Sequence, residues 1–376
     1  MSAATTSGAD RTGPVVVGLI GAGTISRQYL GNLTAFPDLD VRWVADLDVD
    51  RAAERAAEFG VPRSGSVAEL LADDDVEVVV NLTIPAVHVE VGLQVVAAGK
   101  HVWGEKPLAL DLEGGRRLLE AARAAGLRAA SAPDTFLGAG LQTTRRVLES
   151  GRVGAPLSAL VLFQSPGPES WHPDPAFIFA EGAGPLFDIG PYYLTALVQL
   201  LGPIRRVSAT SSVARPVRTI GSGPKAGQQF DVTVATHVSA LYEFAGGASA
   251  VAVFSFDSAV KRTQLEVAGT EGTLVVPDPN TFDGEVGVHR LDEDLVAEPA
   301  VGATTTRGTG VLELARAIRA GVPERASGEL ALHVLDAMVS TTRAATDGAP
   351  VELTTTVDVA PALPEDFDPT ARTLTS

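Results

Sequence analysis

The sequence predicts two domains: a doubly wound α/β domain with a parallel sheet, then an α+β domain with a large, mostly antiparallel open sheet. The chain has 376 residues, which is too long for one ordinary hydrophobic core. In its first third, short apolar runs alternate with amphipathic helical patterns, which is typical of βαβ units. Beyond residue 132, segments of alternating apolar and polar residues follow one another with short turns, as in antiparallel sheets.

The first domain is predicted over residues 1–132. Its expected strands are continuous apolar runs, typical of strands buried on both faces: "PVVVGLI", "DVRWVADLD", "VEVVVNL", "KHVWGE" and "LRAASA". The helical segments between them carry start and stop signals. One helix is expected to end at Gly60 and another at Gly126, and Ser66 with Glu69 forms a capping box for a third.

The second domain is predicted over residues 133–352, and residues 353–376 read as a tail. After a helix ending at Gly151, the expected strands are "PLSALVLFQS", "VSATSSVA", "DVTVATHVSALYEFA", "ASAVAVFSFD", "TQLEVAG" and "GTLVVPD". Three further helices are expected in "GPLFDIGPYYLTALVQLLG", "GVLELARAIRAG" and "SGELALHVLDAMVSTTRAA". Two of the strands are more apolar than a sheet covered on one face requires, which favours association into a homo-oligomer.

Composition excludes several classes of function. The net charge of -17 argues against binding of nucleic acid or anionic membranes, because phosphate contacts need clustered Lys and Arg. The N-terminus lacks the apolar core of a signal peptide, and no apolar run is long enough to span a bilayer. The chain has no cysteine, which fits a reducing cytoplasm. Its six histidines are scattered without metal-ligand spacing, so no metal site is expected.

The turn after the first strand, "GLIGAGTIS", is one residue short of a dinucleotide-binding fingerprint. Gly21 permits a tight turn, and Gly23 lets the backbone approach a pyrophosphate at the start of the next helix. The third glycine of the fingerprint is replaced by Ser26, a small residue. Thr24 and Ile25 complete the turn and belong to the same candidate site. A glycine turn without a ligand is the alternative.

Asp46, at the end of the second strand, supports the cofactor interpretation. A carboxylate at that position accepts hydrogen bonds from a ribose 2′-hydroxyl and repels a 2′-phosphate. Leu47 and Asp48 follow it, and no adjacent Arg or Lys is available to hold a phosphate. NAD is therefore expected, and NADP is less favoured.

Glu105, Lys106 and Pro107 come directly after the fifth strand. Ligands of such sheets bind outside the carboxyl ends of the strands, so Lys106 is expected near the nicotinamide half of the cofactor. Glu105 is assigned to the cofactor site with it. From position alone, a solvated lysine after a strand is an equal alternative.

Three segments together resemble the glucose-fructose oxidoreductase, inositol dehydrogenase and rhizopine catabolism family, known as Gfo/Idh/MocA. They are "GLIGAGTIS", "NLTIPAVHVEVGLQVVAAGKHVWGEKPLAL" and "GAGPLFDIGPYYL". The resemblance implies a Rossmann domain followed by an α+β domain, and it places Lys106 at the substrate hydroxyl. It also implies that Thr83, Pro85 and His88 lie against the cofactor. A helix-capping or surface role is the alternative for His88.

In the second domain, Asp188 and Tyr192 are four residues apart and are expected on one face of a helix. The resemblance implies that they are the catalytic Asp and the His or Tyr partner of the family. Tyr193 would face another side. Trp171 and His172 lie in a proline-rich loop and are candidates for substrate contacts, a packed surface loop being the alternative.

These observations predict an NAD-dependent oxidoreductase that acts on a secondary alcohol of a sugar, inositol or related polyol. Lys106 is expected to bond the reacting oxygen, Tyr192 to carry the proton and Asp188 to orient the pair. Asp134, after the sixth strand, is a further candidate to line the substrate-binding cleft. Two alternatives remain: a glycosidase-type hydrolase of the same fold with tightly bound NAD, and a non-catalytic NAD sensor.

Overall fold

A computed structural model describes residues 11–375, and its contacts divide the chain into two units. The first unit comprises residues 11–138, 302–332 and 363–375, and the second comprises residues 139–301 and 333–362. Residues 302–332 and the end of the predicted tail, from residue 363, therefore belong to the first unit by their contacts. The domain limits at residues 132 and 352 stay a prediction from the sequence.

Six parallel strands form the sheet of the first unit. They are β1 (Val15–Ile20), β2 (Leu39–Ala45), β3 (Arg63–Gly65), β4 (Val78–Asn81), β5 (His101–Gly104) and β6 (Ala129–Ser131). Their order is β3-β2-β1-β4-β5-β6, and all neighbouring strands are parallel. The order reverses between β1 and β4, and sheets of this type bind ligands at the carboxyl ends of the strands at such a point. The predicted parallel α/β sheet is confirmed, with the short β3 as an addition.

Helices connect these strands. They are α1 (Ser26–Leu33), α2 (Val49–Phe59), α3 (Val67–Leu71), α4 (His88–Ala97) and α5 (Leu112–Ala124), with α9 (Thr309–Ala320) contributed from later in the chain. The predicted start and stop signals are confirmed. Gly60 ends α2 in the left-handed conformation, and Ser66 and Glu69 form the capping box of α3. Gly126 also has a positive φ, two residues after α5 ends.

The second unit contains a nine-stranded sheet. Its strands are β7 (Pro156–Gln164), β8 (Ile204–Ser212), β11 (His237–Phe244), β12 (Ser249–Ser255), β13 (Arg262–Gly269), β14 (Gly272–Val276), β15 (Val286–Arg290), β16 (Val296–Glu298) and β17 (Val351–Glu352). They lie in the order β16-β15-β14-β13-β7-β12-β11-β8-β17. Only β7 and β12 pair in parallel among these described strands, so the predicted mostly antiparallel sheet is confirmed.

Four helices accompany this sheet: α6 (Ala139–Glu149), α7 (Gly184–Asp188), α8 (Gly190–Leu201) and α10 (Gly328–Asp347). Helices α6, α7 and α8 pack on its strands, and the hydroxyl of Tyr242 on β11 bonds Thr341 on α10 at 3.0 Å. Side chains on the helix-covered face are buried. On the opposite face, Leu241 and Val251 are 40% and 48% exposed. The sheet is therefore covered on one face only within the described residues.

A small hairpin, β9 (Val217–Thr219) and β10 (Gln229–Asp231), interrupts the segment between β8 and β11. The sequence predicts one long strand from residue 231 onwards, but β11 begins only at His237. The residues between bond to other segments, since the N–H of Thr233 donates to Phe179 and the N–H of Thr236 donates to Ser212. Of this stretch, Asp231 pairs in the hairpin, residues 232–236 lie outside the strands, and the residues from His237 onwards belong to the nine-stranded sheet.

The end of the predicted tail packs on the first unit. The buried carboxylate of Asp38 accepts the backbone N–H groups of Thr373 and Leu374, and Arg316 stacks on the ring of Phe367. Arg316 also bonds Asp38 at 2.8 Å. Burial raises the pKa of Asp38, but these backbone and side-chain hydrogen bonds lower that pKa below its ordinary value. Among residues 11–375, no helix is long and apolar enough to cross a membrane.

Candidate functional site

The glycine turn (residues 21–26) follows β1 at the carboxyl edge of the parallel sheet. Gly21 has a φ of 103°, and a Cβ there would lie 2.7 Å from the carbonyl oxygen of Leu82, so only glycine fits. Gly23 is exposed, and a Cβ on it would meet no atom within 4 Å. Ser26 is buried and donates its hydroxyl to the carbonyl of Gly23 at 2.6 Å. Serine thus closes the turn with a hydrogen bond where the fingerprint has a third glycine.

The same turn opens onto the start of α1. Ile25 is the N-cap residue, and within residues 11–375 no side chain caps this helix end. The N–H groups of Ser26, Arg27 and Gln28 donate to the carbonyls of Gly23, Thr24 and Ile25, so an anion here would be attracted chiefly by the helix dipole. Thr24 is exposed beside them. Open space above Gly23 and an uncapped helix start together fit a pyrophosphate.

Asp46 is buried and ties the end of β2 to the glycine turn. One carboxylate oxygen accepts the N–H of Ala22 at 2.6 Å, and the other accepts the N–H of Asp48 at 3.0 Å and the guanidinium of Arg51 at 2.6 Å. Burial raises the pKa of Asp46, but Arg51 and the two backbone N–H groups together lower that pKa below its ordinary value. A carboxylate has about four acceptor positions, so an ionised Asp46 can still accept a ribose hydroxyl.

Arg51 is a site residue that the sequence analysis missed. The premise that no cation is adjacent to Asp46 holds for the order of residues along the sequence but not for the structure. The side chain of Asp48 accepts the N–H of Arg51 and caps α2, which places Arg51 in the first helical turn beside the end of β2. In the sequence, Asp48 as the N-cap of α2 was the feature that could have predicted Arg51 beside Asp46. Asp46 therefore faces a partly exposed cation that a 2′-phosphate could also use.

The segment after β5 carries Glu105 and Lys106, both half-buried. One oxygen of Glu105 accepts the hydroxyl of Tyr29 at 2.8 Å, and the other accepts the backbone N–H of Lys106 at 3.0 Å. Trp103 donates its indole N–H to Tyr29 at 3.3 Å. Burial, and then the charge of Glu105, raise the pKa of Tyr29 well above its ordinary value, so Tyr29 stays a donor. This buried series of bonds fixes the backbone at Lys106, and Tyr29 was not foreseen.

His88 is buried at the start of α4, which excludes a surface role. Its Nδ1 lies 2.8 Å from the carbonyl of Pro107 and its Nε2 lies 3.0 Å from the carbonyl of Thr83. A neutral ring carries one N–H and can donate to only one of these carbonyls. His88 thus joins the loop after β4 to the loop after β5. Thr83 and Pro85 are half-buried in the first of these loops.

Asp134 is 1% exposed, so the expectation that it lines a cleft is wrong. One carboxylate oxygen accepts the backbone N–H groups of Gly308 and Gly310, both at 3.0 Å, at the start of α9. Burial raises the pKa of Asp134 to about 6 despite these two bonds, which lower it. The residue anchors a helix within the first unit.

In the second unit, Asp188 and Tyr192 do not lie on one continuous helix. Asp188 ends α7, and α8 begins at Gly190 with Pro191 in its first turn. Proline has no N–H to donate to the preceding turn, which explains the break. Asp188 is half-buried and Tyr192 is buried. Tyr193 faces another side, where it packs against Phe163 and Phe254.

Trp171 and His172 lie in the segment between β7 and α7, here called the aromatic loop (residues 165–183). His172 is flanked by the rings of Trp171 and Phe177, with both centroid distances at 5.5 Å. Its Nδ1 accepts the N–H of Asp174 at 3.0 Å, so a neutral ring carries its proton on Nε2. His172 is therefore placed to donate a hydrogen bond. Among residues 11–375, no group of three or more potential metal ligands is present.

Comparison with known proteins gives matches over both units. Residues 15–132 match the profile of the oxidoreductase family with an NAD-binding Rossmann fold, and residues 141–275 match the GFO/IDH/MocA C-terminal domain. The chain is 30% identical to inositol 2-dehydrogenase 3 of Saccharopolyspora erythraea over 70% of this chain and 74% of that protein. It is 29% identical to 1,5-anhydro-D-fructose reductase of Ensifer adhaerens over 69% of this chain and 74% of that protein.

Solved structures show the same fold. Levoglucosan dehydrogenase in complex with NADH and L-sorbose superposes with a TM-score of 0.79 at 22% identity, covering 91% of this chain and 100% of that one. An NAD-binding oxidoreductase from Klebsiella pneumoniae gives a TM-score of 0.80 at 23% identity, covering 91% of this chain and 99% of that one.

Proposed function

Since the chain belongs to the Gfo/Idh/MocA family of oxidoreductases, we propose that it oxidises a secondary alcohol of a sugar, inositol or related polyol with NAD. The observation that carries this proposal is the set of residues at the carboxyl ends of the strands of the parallel sheet. Neighbouring strands β1, β4 and β5 end side by side, and the residues that follow them are Gly21, Thr83 and Lys106. A dinucleotide-binding turn and a half-buried lysine therefore share one edge of the sheet.

The residues of the first unit fit an NAD molecule. Gly23 leaves open space at the start of α1 for a pyrophosphate, and Asp46 retains an acceptor position for a ribose hydroxyl. Arg51 is already paired with Asp46, which favours NAD over NADP. NAD, when bound, supplies the acceptor for the hydride.

We assign the remaining chemistry to three side chains. Lys106 bonds the reacting oxygen of the substrate, with its backbone held by Glu105. Tyr192, in its phenolate form, accepts the proton of the alcohol on its oxygen, and Asp188 orients the substrate and Tyr192. Positioned acid–base groups of this kind accelerate a reaction by about 10²–10⁴-fold.

The test is a panel of sugars, inositols and sugar acids with NAD and with NADP, followed by nicotinamide absorbance. Sustained NADH formation with at least one cyclic polyol is the expected result. Release of a hydrolysis product without net NADH formation, with NAD that does not exchange, would instead identify the glycosidase-type activity. Dinucleotide binding with no turnover of any member of the panel would identify a sensor.

We also propose that the enzyme is a homodimer or homotetramer associated through the open face of the nine-stranded sheet. On this face Leu241, Val251 and Leu160 lie directly opposite one another on adjacent strands, forming an apolar row across the sheet centre. Leu241 and Val251 are well exposed, and a second copy of this face would cover the row symmetrically. Light scattering of the wild-type protein should give two or four times the monomer mass. The variant Val251→Lys should give the mass of a single monomer. A monomeric wild type at micromolar concentration contradicts this assembly.

A further inference from the structure

A buried tyrosine of the first unit belongs to the series of hydrogen bonds that ends at Lys106. Tyr29, on α1, is 0% exposed, and its hydroxyl donates to one carboxylate oxygen of Glu105 at 2.8 Å. The other oxygen of Glu105 accepts the backbone N–H of Lys106 at 3.0 Å. A phenylalanine would fill the same volume without burying a hydroxyl, which is unfavourable unless the hydroxyl is hydrogen-bonded. What the hydroxyl of Tyr29 adds is therefore its hold on the carboxylate.

The hydroxyl of Tyr29 is itself fixed by Trp103 on β5. The indole N–H of Trp103 donates to it at 3.3 Å. Helix α9 packs directly on this indole, since a Cβ on Gly310 would lie 2.1 Å from the ring of Trp103 and 2.7 Å from the Cβ of Asp134. Asp134 accepts the N–H of Gly310 at 3.0 Å and holds the start of α9. The hydroxyl thus lies between a fixed donor and the carboxylate of Glu105.

Glu105 depends on this hydroxyl to keep its orientation. A side chain that bonds the backbone N–H of the next residue does so in few rotamers, and such local bonds compete with other partners. The residue is half-buried. Without the donor from Tyr29, one oxygen of the carboxylate loses its bond, and rotation towards water becomes favourable. That rotation would release the N–H of Lys106.

The residues on both sides of Lys106 are bonded to other segments. The N–H of Glu105 donates to the carbonyl of Asn81, at the end of β4, at 3.0 Å. The carbonyl of Pro107 lies 2.8 Å from Nδ1 of His88, at the start of α4. The bond that holds the backbone of Lys106 itself is the one from its N–H to Glu105.

We propose that Tyr29 is a positioning residue for Lys106 and that it acts through the carboxylate of Glu105. The inference rests on the proposed function, in which Lys106 bonds the reacting oxygen of the substrate. Because the lysine side chain is a flexible four-carbon stem, the place of its ammonium group depends on how its backbone is held. A displacement of about 1 Å in a catalytic group can lower a rate by about 10²-fold, so a fully buried hydroxyl can control turnover.

The first experiment measures the backbone of Lys106 without using turnover. Amide hydrogen exchange at Lys106, followed in peptides that cover residues 104–110, should be at least tenfold faster in Tyr29→Phe, because the N–H loses its fixed acceptor. The matched control is Tyr242→Phe, which removes an equally buried hydroxyl that bonds Thr341 in the second unit at 3.0 Å. The control should leave this exchange unchanged. Unchanged exchange in Tyr29→Phe overturns the proposal.

The second experiment measures turnover with NAD and myo-inositol, or another member of the panel that the wild type oxidises. Tyr29→Phe should lower kcat about tenfold, leave KM within threefold and leave NAD affinity unchanged, whereas Tyr242→Phe should change none of the three. The same Tyr29→Phe change should lower kcat less than twofold further in Lys106→Ala and in Glu105→Ala, because the residues through which Tyr29 acts are then absent. A tenfold loss that persists in both backgrounds, or an equal loss in Tyr242→Phe, contradicts positioning by Tyr29.

The outcomes separate this inference from the proposed function. If exchange at Lys106 accelerates in Tyr29→Phe while kcat is unchanged, Tyr29 holds the backbone without positioning the lysine, so the inference fails and the proposed function stands. If the wild type oxidises no member of the panel, the proposed function fails, and the exchange measurement alone then decides whether Tyr29 fixes Lys106.

Discussion

The glycine turn of the first unit and the aromatic loop of the second are held in different ways. The glycine turn directly follows the buried strand β1, the aromatic loop directly follows the partly exposed strand β7, and each carries candidate ligand contacts. The glycine turn is shaped by its own backbone, through the positive φ of Gly21 and the bond from Ser26 to Gly23. The aromatic loop is shaped by Arg218, a buried residue of β9 that forms ion pairs with Glu169 of the loop and with Asp257, which lie 49 and 39 residues away along the chain.

This difference has physical consequences for substitution. A turn fixed by backbone geometry fails when a side chain is added, because there is no space or no allowed φ for it. A loop fixed by buried charges fails when a charge is removed, because its partners are left buried and unpaired. The two regions should therefore respond to opposite kinds of mutation.

The largest expected effect lies in the proposed acid–base chemistry. Lys106→Ala should reduce kcat/KM by about 10²–10⁴-fold, since it removes the charge near the reacting oxygen. Tyr192→Phe removes only the hydroxyl, so turnover should fall while NAD binding survives. If both groups act on one oxygen, the double variant should be scarcely worse than the poorer single variant.

A multiplicative loss in the double variant would show that the two side chains act in separate steps. Wild-type turnover in Tyr192→Phe would remove Tyr192 from the mechanism. His172→Gln would be the next variant to measure, although the bond from Asp174 to Nδ1 favours His172 as a donor rather than as a base.

The sequence predicts the first unit better than the second. The reason is that the contacts that shape the first unit's site join residues that are close together along the chain. The roles of Gly21, Ser26 and Asp46 follow from a motif whose members interact within one βαβ unit. The capping residues of α2 and α3 can likewise be predicted from residues that are neighbours in the sequence. The break before Pro191 was foreseeable, because proline lacks the N–H that a continuous helix needs.

Contacts between distant segments were not predictable in this way. No local pattern pairs Arg218 with Glu169 and Asp257, or Tyr29 with Glu105. A single sequence does not indicate which buried charged residues form ion pairs with one another. For the same reason the sequence predicts that the strand containing His237 begins too early, because the alternation does not reveal that residues 232–236 lie outside the sheet.

Gly21 and Gly23 offer a sharper test within the glycine turn. Gly21→Ala places a Cβ against the carbonyl of Leu82 at a positive φ, and should lower the free energy of unfolding by about 1–3 kcal/mol. Gly23→Ala meets no protein atom, so stability should stay within about 0.5 kcal/mol of the wild type. If the space above Gly23 is where a pyrophosphate binds, Gly23→Ala should still weaken NAD binding about 10–100-fold. Thermal unfolding and NAD titration of both variants measure the two effects, and unchanged NAD affinity in Gly23→Ala contradicts the pyrophosphate site.

The last prediction concerns the choice of dinucleotide, where one charged pair decides between two cofactors. Asp46→Ser removes the carboxylate that repels a 2′-phosphate and releases Arg51, which is now bonded to it at 2.6 Å. A charge-assisted hydrogen bond contributes about 1.5–3 kcal/mol. NADP affinity should therefore rise about 10–100-fold in Asp46→Ser, while NAD affinity falls with the loss of the ribose contact.

The control for this change is the double variant Asp46→Ser/Arg51→Gln. It removes the repulsion as well but offers no guanidinium to the phosphate, so most of the gain in NADP affinity should disappear. Equal NADP affinity in the single and double variants would show that the repulsion by Asp46 alone sets the preference. Tighter binding of NADP than NAD by the wild-type enzyme would show that Arg51 already outweighs Asp46, because a cation that Asp46 fully neutralises cannot attract a 2′-phosphate.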